Sequence, residues 1–184
     1  MINRKEAFVL LKRYLKNQNS IRYSLAVEAL MRELASRLQK DEELWGLTGL
    51  LHNLDYEYTD GEPEKRGILS AQLLEGLLPE NGVNAIKANN YMQTSYIPIT
   101  SLDKSLIAAD AITGLIFAIV SSTPSKKLHD VDLDTLVKKF NDPNFATGYN
   151  RSRVKLCTDI GIDLEIFLAI SLRTLKRISD DLGF

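Results

Sequence analysis

One cysteine in 184 residues, Cys157, leaves no partner for an internal disulfide, suits a reducing cytoplasm and is most simply a small buried hydrophobe. Histidine is almost as scarce, with only His52 and His129. Charge of one sign is missing too: 23 basic against 24 acidic side chains give a formal −1. No broad field therefore draws the chain to nucleic acid or to an anionic membrane. The start, MINRKEAFVLLKRYLKNQ, is interrupted by Arg4, Lys5, Glu6, Lys12, Arg13 and Lys16 and has no small-residue cleavage site, so no signal peptide is expected. The longest weakly polar stretch, residues 106–122, contains Asp110, which argues against a membrane span. Glycine-rich phosphate loop, nucleophile elbow, repeated cysteine pair and arginine-rich recognition helix are all absent. The expectation is one cytoplasmic domain over residues 1–184, a length that supports one sizeable core.

Apolar residues recur at helical spacing instead. Phe8, Leu11 and Leu15 mark a first helix; Val27, Leu30, Met31, Leu34, Ala35 and Leu38 mark a second, predicted to start after Ser20. Asp41 caps a third, with Leu44, Leu47, Leu51 and Leu54 on one face, before a charged loop over residues 59–67. Short helices are predicted over residues 69–78, stopped by Pro79, and from a cap at Asn84 to about Asn89. After a loop over residues 91–100, Thr100 or Ser101 opens the most apolar helix, with Asp103 near its positive end. Residues 133–140 and 151–160 follow as helices, and Asp163 caps the last, whose core side holds Leu164, Phe167, Leu168, Leu175, Ile178 and Leu182. No run alternates as a strand would and no repeat occurs, so the fold class is all-α, an irregular helical bundle.

Two polar residues sit where this pattern asks for carbon. Asp110 is the sole ionisable side chain in residues 106–120 and needs a partner if buried. His52 follows Leu50 and Leu51; it can ligate a metal, donate to Asp110 or fill a satisfied core position. The acidic stretch DVDLDTLVKKFN over residues 130–141 lacks the glycine and glutamate of a calcium loop and reads as a capped helix start.

MRELASRL (residues 31–38), DEELWGLTGLLHNLDYE (41–57), SLIAADAITGLIFAIV (105–120) and FATGYNRSRVKLCTDIGIDLEIF (145–167) together resemble the HD superfamily of metal-dependent phosphohydrolases. The resemblance implies an HD-like helical bundle whose buried histidines and aspartates gather one or two divalent metals. On it, the family's first metal histidine falls on Tyr23, the paired histidine and aspartate on His52 and Asn53, and the distal aspartate on Asp110. Further histidines would fall near Arg66 and at Asn89. Only His52 and Asp110 keep the family's chemistry, so the metal motif is degenerate. Tyrosine is mostly protonated near neutral pH, asparagine offers a neutral carbonyl and arginine has no acceptor. Any metal would rest on His52 and Asp110, helped by Asp55 and water. The preferred arrangement is a metal-free pair in which His52 bonds Asp110 and Tyr23 or Asn53 completes the network. Arg66 reads either as a phosphate-binding cation in the cavity or as a solvated loop residue; Asn150 and Arg151 either face the cavity or, for Arg151, make a structural ion pair.

The functional expectation is a metal-poor, catalytically impaired protein that binds a small phosphate-containing ligand or a protein partner, with no cofactor favoured. Two alternatives stand beside it. One is a phosphohydrolase acting on a nucleotide or another phosphoester with manganese, magnesium, nickel or iron; the other is a structural interaction domain without a small ligand.

Overall fold

Short polar side chains set most of the helix starts. Asn3, Asn17, Asp41, Thr100, Asp132, Asn150 and Asp163 each accept a hydrogen bond from a backbone N–H in the first turn they precede. The computed structural model describes residues 1–184. Ten α-helices follow in order: α1 Arg4–Tyr14, α2 Gln18–Arg37, α3 Glu42–Leu51, α4 Ile68–Leu74, α5 Glu80–Asn89, α6 Ser101–Ser122, α7 Leu133–Asn141, α8 Arg151–Lys155, α9 Leu164–Arg177 and α10 Ser179–Leu182. Short 3-10 turns lie at Tyr56–Tyr58, Pro63–Lys65, Leu128–Asp130 and Thr158–Ile160, and there is no sheet.

Five boundaries differ from the sequence pattern, and each has a physical reason. α2 begins two residues before Ser20: Asn17 caps it, and the Glu57 carboxylate accepts from the Lys16 and Asn17 N–H groups at 2.9–3.1 Å. Glu57, 40 residues on, thus takes the donors that a local cap leaves open. α4 stops at Leu74, because Glu75 is extended and Gly76 has φ +76°. α5 starts directly after Pro79 and not at Asn84, since a proline at a helix entrance gives up an N–H the helix does not use. α8 ends at Lys155, where the chain tightens into a 3-10 turn; likewise Ile178 closes α9 and a separate short α10 carries Leu182.

Forty-five buried hydrophobic residues form one core. α2 lies along α3, and α6 runs through the middle, against α2, α5, α8 and α9. By length and composition α6 is apolar enough to cross a membrane, yet 72% of its most apolar stretch is buried by the other helices. Its start is a capping box: Thr100 accepts from the Asp103 N–H, and the buried Asp103 carboxylate accepts from the Ile99 and Thr100 N–H groups at 2.9 Å. Cys157 is buried, and that burial pushes its thiol up to about 11, so it behaves as a hydrophobe.

The turn before α4 fixes the edge of the cavity described below. Gly67 has φ +82°, its N–H donates to Asp55 Oδ2 at 2.7 Å, and a Cβ here would stand 2.8 Å from the Ile86 carbonyl oxygen. Gly67→Ala therefore meets both backbone strain and a backbone collision. A loss of about 2 kcal/mol in urea unfolding is expected, against less than about 0.5 kcal/mol for the open Gly148→Ala.

Candidate functional site

Asp110 lies half-way along α6, and four other helices bring polar groups to its carboxylate. From α2, the Tyr23 hydroxyl is 2.8 Å from Oδ1 and 2.7 Å from the Asp110 backbone carbonyl, so its one proton is shared between two acceptors. From the end of α5, Asn89 Nδ2 donates to Oδ2 at 3.2 Å. From α8, Arg153 Nη2 donates to the same Oδ2 at 2.9 Å and to Asn89 Oδ1 and the Asn89 carbonyl at 3.0 Å each. At the end of α3, His52 Nε2 comes within 3.4 Å of Oδ1.

Burial opposes charge on Asp110, but the His52 imidazole, the Arg153 guanidinium and the Tyr23 hydroxyl outweigh it and hold the carboxyl well below the usual carboxylate range. Tyr23 moves the other way. Burial, then the Asp110 charge and hydrogen bond, raise its hydroxyl well above the ordinary phenol, so it stays protonated.

The imidazole is oriented by its other nitrogen. His52 Nδ1 lies 2.7 Å from the Gly49 carbonyl oxygen, which can only accept, so Nδ1 carries a proton. The buried Nε2 makes no hydrogen bond. The expected His52–Asp110 pair is therefore present as a close approach of 3.4 Å, outside hydrogen-bond alignment, while Nδ1 takes the backbone carbonyl. Tyr23, not Asn53, completes the carboxylate's shell.

All six positions that the sequence nominated together line one cavity of about 450 Å³: Tyr23, His52, Asn53, Arg66, Asn89 and Asp110. Asn53 is half-buried there. Arg66 stacks its guanidinium 4.6 Å from the centre of the Tyr56 ring and reaches the Thr59 hydroxyl with Nε at 3.4 Å, with no carboxylate paired to it. Asn17, Asn19 and Ser20 at the start of α2 add uncharged polar groups, and Phe117 and Tyr149 add aromatic walls.

Three nominated residues are placed elsewhere. Asp55 Oδ2 accepts from the Gly67 and Ser70 N–H groups at 2.7 and 3.0 Å and so caps α4 at a distance; Asp55 does not line the cavity. Arg151 spends its guanidinium on the carbonyls of Lys139, Phe140, Asp142, Phe145 and Tyr149, at 2.6–3.3 Å. It closes the end of α7 and the loop after it, through carbonyls rather than an ion pair. Asn150 caps α8 and lines a neighbouring cavity. His129 is remote, with Nε2 2.9 Å from the Ser179 hydroxyl.

The residue missed is Arg153, two positions beyond Arg151. Its signal was arithmetic: a carboxylate in an apolar helix needs a cation, and NRSR offers two arginines. In a helix, residues two apart point to nearly opposite sides, so only one of them reaches α6.

A divalent metal fits these side chains poorly. His52 Nε2 and Asp110 are two donors, and no group of three or more His, Cys, Asp or Glu side chains gathers anywhere in the structure. Both Asp110 oxygens already accept from Tyr23, Asn89 and Arg153. No protein-family model, curated protein or solved structure matches the chain.

Proposed function

We propose that this is a metal-poor protein of HD-like descent that binds a small phosphate-containing ligand in the cavity beside Asp110. One observation carries the reading: the cavity's buried anion already has its own cation, Arg153, which leaves Arg66 as a second cation with no carboxylate partner. A guanidinium stacked on an aromatic ring keeps its N–H fork for an incoming anion, and phosphate matches that fork. Uncharged amides and hydroxyls around it can bond a ligand without adding repulsive charge. A cavity of this size and polarity also supports a ligand over a purely structural role.

Titration of inorganic phosphate into the protein, followed by amide NMR shifts, tests this. Saturable shifts at residues around Arg66 are expected, with affinity at least about tenfold weaker in Arg66→Ala at unchanged melting temperature. Equal affinity in that variant would sink the proposal.

A second reading, a phosphohydrolase acting on a nucleotide or another phosphoester, draws on His52. A backbone-anchored Nδ1–H and a bare Nε2 are how a histidine is presented to a metal. Turnover dependent on added manganese, magnesium, nickel or iron, and lost in His52→Ala, would favour it over simple binding.

A further inference from the structure

A second cavity, of about 340 Å³, adjoins the first across a shared wall that includes Tyr23, Asn89, Asp110, Tyr149 and Arg153. Beyond that wall its own lining is Met92, Gln93, Ala111, Gly148 and Asn150, none of which ionises. The free cation, Arg66, belongs to the first cavity alone. The second cavity thus meets charge only at the Asp110–Arg153 pair on the shared wall, whereas the first also holds the unpaired Arg66.

Tyr149 stands on the boundary. Gly114, one helical turn beyond Asp110 on α6, seats its ring: a Cβ there would lie 2.3 Å from Tyr149 Cε1. The loop that carries Tyr149 is held by Arg151, which binds the Tyr149 carbonyl along with those of Asp142 and Phe145. Tyr149 is 40% exposed. Burial, then the nearby Asp110 carboxylate, push its hydroxyl above the ordinary phenol range, so it meets a ligand as a neutral phenol. A neutral aromatic face beside the Met92 thioether suits a planar apolar group, and the Gln93 amide suits its polar edge.

We infer that the second cavity is the subsite for the uncharged, ring-bearing half of a phosphomonoester whose phosphate lies at Arg66, with Tyr149 as the residue that divides the two. This rests on the anion reading of the first cavity. The class of ligand follows from the division: one anionic end and one neutral organic end, joined at the level of Asp110 and Arg153. A ligand charged at both ends would place its second anion in a space whose only cation, Arg153, is already bound to Asp110.

Calorimetric titration with inorganic phosphate and with phenyl phosphate separates the two ideas. The wild-type protein should bind phenyl phosphate about tenfold more tightly than phosphate. Ala111→Leu fills only the second cavity, and the exposed Met92→Ala trims its wall with little risk to folding. Both should shrink the phenyl advantage, by at least about threefold, while phosphate affinity stays within about twofold. If phosphate binds and the advantage is missing, or survives in a folded variant of either kind, the subsite is wrong and the anion site stands. Binding of neither compound overturns both.

Discussion

Arg153→Ala is expected to lose about 3 kcal/mol of stability at neutral pH, because it strips the guanidinium from a largely buried carboxylate and leaves the charge behind. The partners are 24% and 16% exposed, too little for water to replace the lost contact. The sign of the pH dependence follows from Asp110. Its carboxyl is held well below the usual range in the folded protein, so its contribution is fully present above the unfolded value, about 3.9, and is lost as pH falls through the lower folded value. The variant has less of that contribution to lose. Urea unfolding at pH 7, 5 and 3 should therefore show a deficit that is constant over the first two and smaller at the third. Asp110→Asn in the same background should recover part of the loss, since no unpaired charge then remains. A deficit unchanged at pH 3 and untouched by Asp110→Asn would mean that Arg153 acts by packing alone.

The helices and the core were legible in the sequence because both rest on one signal, apolar residues at helical spacing. Val27, Leu30, Met31, Leu34 and Ala35 are all fully buried, as the stripe demanded. What the pattern missed came from distant contacts. Ser20 is a sound local cap, but Glu57 reaches back to the backbone N–H groups of Lys16 and Asn17 and moves the start of α2 forward. The cavity was legible in outline through Asp110 and His52, polar groups in apolar surroundings. Its completion by Arg153 was not, because charge pairing between α6 and α8 depends on the turn of a five-residue helix. Asp55 misled for a related reason: near His52 in sequence, it turns instead to the N-terminus of α4.

Another buried carboxylate, Glu28, gave no signal in the sequence, and its removal should be more damaging than the loss of Arg153. Glu28, only 3% exposed, accepts from Arg4 Nε and Nη2 of α1 at 2.7 and 3.0 Å and from Arg32 Nε of α2 at 3.0 Å. Arg32 continues the chain of contacts to α3 through Glu43 Oε2 at 2.8 Å and the Glu42 carbonyl at 3.1 Å. Three helices thus meet at one acid. Its two arginines differ in what they lose without it. Arg4 is 53% exposed and returns to water easily, whereas Arg32 is 26% exposed and its Nη2 is already buried without a partner. Glu28→Ala should cost about 4 kcal/mol, most of it from Arg32 left with half its anions, while Arg4→Ala should cost no more than about 1 kcal/mol. Replacing Glu28 and Arg32 together, as Glu28→Leu with Arg32→Met, should be less damaging than Glu28→Ala alone, because no stranded charge survives. Equal losses for Glu28→Ala and Arg4→Ala in thermal unfolding would show instead that the acid serves only to fasten α1 to the rest of the bundle.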